Sequence, residues 1–148
     1  MNIPKIAART IVAGAIAASA AFGATAQARA VSSAGCTATP LAPTYSHTTS
    51  TGVKVLRFSF RLSCAGFRSV QVQHQIREQD VLTSQLIKNS TFTRSFPVGG
   101  NETISVYGAV PDTELGAEEL YHRLRIQVTV LGVPQPWSGW DSSAVISI

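Results

Sequence analysis

Lys54-Val55-Leu56-Arg57-Phe58-Ser59-Phe60-Arg61-Leu62-Ser63-Cys64 is the stretch on which the fold turns. From Leu56 onward every second residue is apolar (Leu56, Phe58, Phe60, Leu62, Cys64), and Arg57, Ser59, Arg61 and Ser63 fall between them. Side chains alternate faces along a strand, so a period of two predicts a half-buried strand with one face on a core. Ala65-Gly66 then turns the chain, and Phe67 to Glu78 repeats the pattern. Val70, Val72, His74 and Ile76 share one face; Gln71, Gln73, Gln75 and Arg77 share the other.

Downstream the same rhythm continues. Val81 to Lys88 reads as a short apolar strand closed by a Lys88-Asn89-Ser90 turn, and Thr91 to Val98 as another, carrying Phe92 and Phe96. Pro97-Val98-Gly99-Gly100-Asn101 ends it, and Glu102 to Val110 follows with Ile104 and Val106 in register. Pro111 to Glu119 is a polar connection with room for one helical turn. The longest strand sets Leu120, His122, Leu124, Ile126, Val128 and Val130 against Tyr121, Arg123, Arg125, Gln127 and Thr129. Gly132-Val133-Pro134-Gln135-Pro136 breaks it, Trp137-Ser138-Gly139-Trp140-Asp141 forms a loop, and Ala144 to Ile148 is a closing strand. About seven short strands with frequent turn signals, and no sustained 3.6-residue period, predict an all-β antiparallel sandwich.

Tyr121, the alternating run to Val130, Gly132 and Pro136-Trp137-Ser138 resemble the end of a fibronectin type III or immunoglobulin-like domain. The resemblance implies an immunoglobulin/fibronectin-III-like β-sandwich and covers only the last third of the chain. Two departures stand beside it. Tyr121 falls on the polar face, and Cys36 with Cys64 is not the inter-sheet bridge of antibody domains.

Upstream of the first strand lies a different kind of segment. Lys5 and Arg9 precede Thr10-Ile11-Val12-Ala13-Gly14-Ala15-Ile16-Ala17-Ala18, and Ala-rich sequence runs on to Ala28. A basic start, an apolar middle and an A-x-A site describe a secretory signal peptide over 1–28, cleaved after Ala28, or after Ala30 on the second A-x-A match. The stretch is too rich in Ala, Gly, Ser and Thr for a spanning helix. Residues 29–50, rich in Ser, Thr, Ala and Pro, read as an extended lead-in or edge strand, and 51–148 as the sandwich domain. The expected address is secreted and extracellular, with no membrane contact after cleavage.

The chain's 148 residues, 14% charged, make one domain at most, and the 45% hydrophobic share is inflated by the leader. Lys5 and Arg9 leave with that leader, so the formal charge of +4 falls by two. Such a balance, with no clustered basic stripe, gives no case for nucleic acid. Cys36 and Cys64 are the only thiols, and in an oxidising compartment an even count predicts a disulfide. Their spacing is far from the C-x-x-C of redox or metal sites.

No nucleophile elbow, zinc-hydrolase helix, phosphate loop or dinucleotide fingerprint occurs, so no catalytic residue, metal or cofactor is expected. His74 and His122 both fall on apolar strand faces. If those strands pair, the two imidazoles meet and bind a metal or act as a pH switch, or each stays neutral and donates to a backbone carbonyl. No third ligand accompanies them. Trp137 and Trp140 suit stacking on a sugar ring or partner surface, or plug the end of the sandwich. Gln73 and Arg77 would lie beside Arg123 and Arg125, a row suited to anionic or hydroxyl-rich polymers or simply solvated. The sequons Asn89-Ser90-Thr91 and Asn101-Glu102-Thr103 matter only in a glycosylating cell. These features predict a non-enzymatic secreted module that binds an extracellular protein or glycan. The alternatives are a small secreted hydrolase with dispersed catalytic residues and a cell-envelope structural protein.

Overall fold

The computed structural model describes residues 29–79, 83–110 and 118–148. The leader expected over 1–28, the start of the strand expected at Val81 and most of the polar connection after Pro111 lie outside the described residues. The strands in chain order are β1 (Val31–Ser33), β2 (Cys36–Pro40), β3 (Thr44–Thr48), β4 (Lys54–Cys64), β5 (Arg68–Gln79) and β6 (Ser84–Phe96). They continue with β7 (Gly100–Ala109), β8 (Glu119–Val130), β9 (Val133–Pro134), β10 (Asp141–Ser142) and β11 (Ile146–Ser147). The domain is all-β: two antiparallel sheets, curled toward each other in a broadly sandwich-like arrangement.

In the first sheet β4 is central. β7 pairs with it from Val55↔Ala109 to Cys64↔Gly100, while β2 and β3 share its other edge end to end. β1 extends β2 as a hairpin. In the second sheet β5 lies between β6 and β8, and the three short strands β9, β10 and β11 line the far edge of β8. The segment 29–50 expected as an extended lead-in therefore carries β1 to β3, all hydrogen-bonded into the sheet of β4. The expected number of about seven falls between the five long strands and the eleven segments in all among the described residues, because the chain flanking β4 and β8 is broken at Pro and Gly.

The period of two holds where it was clearest. Leu56, Phe58, Phe60, Leu62 and Cys64 of β4 are buried against Val70, Val72, His74 and Ile76 of β5 and Leu120, His122, Leu124, Ile126 and Val128 of β8. Burial of a side chain of this kind contributes about 1.5–3 kcal/mol, so this two-sided core is the main stabilising term.

One strand corrects the sequence reading. Lys88-Asn89-Ser90 is no turn: β6 runs unbroken through it, pairing with β5 from Arg68↔Phe96 to Gln79↔Ser84. The ladder to β5 outweighs the local turn preference of Asn and Ser, and an edge strand tolerates such residues in solvent. A bulge opposite Ile76 and Arg77 shifts the register, so that Ile87 packs on the core. The flank between β6 and β7 is closed by side chains instead of a ladder. Lys88 Nζ donates to the Tyr107 carbonyl at 3.2 Å, and Arg94 Nε meets Glu102 Oε1 at 3.2 Å.

Cys36 and Cys64 are joined, as the pair count predicts. They are a register pair of β2 and β4, so the bridge lies within the first sheet and closes a loop with a sequence separation of 28. Loop closure of that length stabilises the folded chain by about 3–4 kcal/mol on the chain-entropy model.

Candidate functional site

β5 and β8 pair in a register that sets Gln73 opposite Arg125, Gln75 opposite Arg123 and Arg77 opposite Tyr121, all on the solvent face of the second sheet. The register fixes the chemistry. Arg125 Nε donates to Gln73 Oε1 and Arg123 Nε to Gln75 Oε1, each at 2.8 Å. Arg77 Nε donates to Ser84 Oγ at 2.8 Å and Arg77 Nη2 to the Ser84 carbonyl at 2.6 Å. The Ser84 hydroxyl in turn lies 2.8 Å from the Tyr121 hydroxyl.

Trp137 and Trp140 join the same face from the segment between β9 and β10. The Arg125 guanidinium carbon lies 4.8 Å from the centre of each indole, and that of Arg123 lies 4.5 Å from Trp140. Arg125 thus sits between two rings whose negative faces attract it. Both tryptophans are half-buried against the sheet face rather than plugging the end of the sandwich.

Two serines hold this segment in place. Ser138 donates its backbone N–H to the Ile126 carbonyl at 2.8 Å, and its Oγ accepts from the Ile126 N–H at 2.9 Å. Ser143 does the same to His122, at 2.8 Å and 3.1 Å. Each serine satisfies both backbone groups of one β8 residue, as the opposite residue of a hydrogen-bonded antiparallel pair would, with its Oγ standing in for the backbone carbonyl.

All six residues expected as binding candidates, Trp137, Trp140, Gln73, Arg77, Arg123 and Arg125, therefore lie on one surface. Gln75, Ser84 and Tyr121 complete it. The described contacts of the three guanidiniums run to amide, hydroxyl and carbonyl oxygens and to indole rings. Burial, and then the charges of Arg77 and Arg125, lower the pKa of Arg123 while Tyr121 opposes them; the group stays protonated.

On the opposite face of the same two strands, His74 and His122 meet. His74 Nε2 lies 2.7 Å from His122 Nδ1, and His122 Nε2 lies 2.7 Å from the carbonyl of Leu41. A carbonyl only accepts, so His122 carries its proton on Nε2 and accepts on Nδ1, and His74 Nε2 must donate. The chain His74→His122→Leu41 thus links the second sheet to the β2–β3 connection of the first. Both imidazoles are fully buried. Burial, then the neighbouring His122 and Lys88, lower His74 from 6.5 to about 3. Burial lowers His122 to about 4, against the raising effect of its bond to Leu41. Both rings are neutral at pH 7.

Among the described residues no three His, Cys, Asp or Glu are grouped to hold a metal ion. The imidazole pair, sealed between Phe58, Phe60 and Phe92, has no open face for a substrate. Compared with known protein families, curated proteins and solved structures, the chain matches none.

Proposed function

We propose that this chain is a small exported module of the immunoglobulin/fibronectin-III kind that works by binding, not by catalysis. Its contact surface is the outer face of the second sheet, and its ligand class is an acidic extracellular polymer, a carboxylated or sulfated glycan before any other. The fold assignment is supported by the split of the long strands. β4 and β7 lie in one sheet, β5, β6 and β8 in the other, and the chain crosses between sheets after β4, β6 and β7. Export is supported by the basic-apolar-small pattern of 1–28 and by the disulfide, which persists in oxidising surroundings.

One observation carries the binding reading: Arg77, Arg123 and Arg125 converge on a single face with two indoles. Guanidinium forks match carboxylate and sulfate oxygens, glutamines match hydroxyls, and indoles stack on sugar rings. Calorimetric titration with polygalacturonate and with neutral dextran tests it. Binding to the acidic polymer, weakened at least about tenfold by Arg77→Gln with Arg123→Gln, is the expected result. Equal binding of both polymers, or none of either, contradicts it. A structural role in the cell envelope is the second reading, favoured by the internal hydrogen bonds that the same arginines already make to Gln73, Gln75 and Ser84.

A further inference from the structure

β6 ends the second sheet, and among the described residues β5 alone pairs with it. The other strand edges are used or blunted. β9, β10 and β11 line β8, and the Tyr107 carbonyl of β7 already accepts from Lys88. β1 has three residues, and β3 has five with a shift in register between Tyr45 and His47. β6 runs for thirteen. From Lys88 to Phe96 it faces β5 residue for residue, with neither bulge nor proline.

Backbone parity tells which groups stand on the open side. On β8 the backbone groups of His122 and Ile126 turn away from β5, toward Ser143 and Ser138. Peptide groups alternate sides along a strand, so the register carries that parity through β5 to β6. Ser90, Phe92 and Arg94 bond to β5, while Asn89, Thr91, Thr93 and Ser95 direct their N–H and C=O groups outward. The Thr93 carbonyl shows this directly, since it accepts from Arg94 Nη1 at 3.0 Å. A carbonyl has two lone pairs, so that bond does not bar a second donor. The side chains of the four outward residues lie on the solvent face, all exposed and none charged. Lys88 and Arg94, the cations of the stretch, reach from its inner side toward β7. A long edge normally carries a charge, a proline or a bulge that refuses a neighbour, and this row of four carries none.

The stretch is also complementary to itself. Turned about a two-fold axis through Phe92, perpendicular to the sheet, Lys88 to Phe96 pairs end to end with a second copy. Thr91 then faces Thr93 of the second copy, Asn89 faces Ser95, Ser90 faces Arg94, and Lys88 faces Phe96. No two cations stand directly opposite, and Thr–Thr pairs are favourable across strands. An axis through Thr91 would set Lys88 against Arg94, and one through Thr93 would pair Asn89 with Pro97. The four outward residues make four pairs that exchange two hydrogen bonds each, about eight in all, close to the roughly ten of an ordinary protein interface.

We propose that β6 pairs antiparallel with β6 of a second copy of this chain, joining two six-stranded sheets into one. A two-fold operator closes the assembly at a dimer. It also keeps both outer faces on the same side, so the arginine and tryptophan arrays of the two copies share one continuous surface. An acidic polymer spanning both arrays is then held bivalently. That consequence, and not the pairing itself, rests on the binding reading above.

Sedimentation equilibrium of the chain from residue 29 on, which contains every described strand, tests the pairing without any ligand. The expected result is a monomer–dimer equilibrium in the micromolar range. Thr91→Lys with Thr93→Lys places like charges opposite each other twice and should weaken the dimer at least about tenfold. Thr91→Lys with Thr93→Glu sets opposite charges in the same register and should restore it. Thr91→Pro removes one outward N–H and none that bonds β5, so it should weaken the dimer while the monomer keeps its fold by circular dichroism. A monomer up to millimolar concentration overturns the proposal and leaves the edge to a strand of a different protein. A dimer that the Lys–Lys and Pro variants leave unchanged overturns it too, by assigning the contact to another surface. So does a Lys–Glu variant that associates no better than the Lys–Lys one, because the register about Phe92 requires the difference.

Discussion

At the residue scale, the most consequential pair is His74 and His122. Their apolar-face positions were legible in the sequence, because a period of two assigns parity without any knowledge of partners. Their meeting depends on β5 lying beside β8, and the acceptor of His122, the Leu41 carbonyl, depends on how the two sheets pack; no local signal encodes it. The consequence is pH-dependent stability of a definite sign. In the unfolded chain both rings titrate near 6.5, in the folded one near 3 and 4, so the unfolded state binds more protons between those limits. Stability is full above pH 6.5 and falls as pH drops through that window, by about 1.4 kcal/mol per pH unit for each ring. Urea midpoints at pH 7 and pH 5 should therefore differ by about 4 kcal/mol of stability. Equal midpoints, or His74 and His122 imidazole resonances titrating near 6.5 in the native protein, would remove the neutral pair.

At the scale of elements, β8 is the strand most dependent on irregular neighbours. Ser138 and Ser143 substitute for strand residues along its edge, and sequence reading passed over them because serine in a Gly- and Trp-containing loop carries no distinctive signal. Ser143→Ala leaves the His122 N–H without its Oγ acceptor in a buried setting, an expected loss of about 1–3 kcal/mol. Ser143→Thr, which keeps the hydroxyl, should retain most of that stability; parity of the two variants in urea denaturation would show the bond to be idle. β6 teaches the complementary lesson. Lys88-Asn89-Ser90 has the composition of a turn, and only twelve register pairs with β5, set by a distant stretch of chain, make it strand. The bridge between Cys36 and Cys64 ties β2 to β4, and Cys36→Ala with Cys64→Ala should cost about 2–4 kcal/mol in thermal or urea unfolding.

At the scale of the molecule, the two faces of one sheet divide the work. The inner face of β5 and β8 builds the core, with its neutral imidazole link to the first sheet. The outer face carries Trp137, Trp140, Arg77, Arg123, Arg125 and the glutamines between them. The arginines and glutamines of this array were legible in the sequence because strand alternation put them on polar faces, and pairing did the rest; the two tryptophans lie in a loop, where alternation assigns no face.

The most direct measurement is a chemical-shift titration of the ¹⁵N-labelled domain with an acidic oligosaccharide such as trigalacturonate. Perturbations confined to the indole N–H groups of Trp137 and Trp140 and to the side chains of Arg77, Arg123, Arg125, Gln73 and Gln75 are the expected outcome. Shifts that cluster anywhere else on the molecule, or spectra that do not move at millimolar ligand, would contradict a binding face on the second sheet.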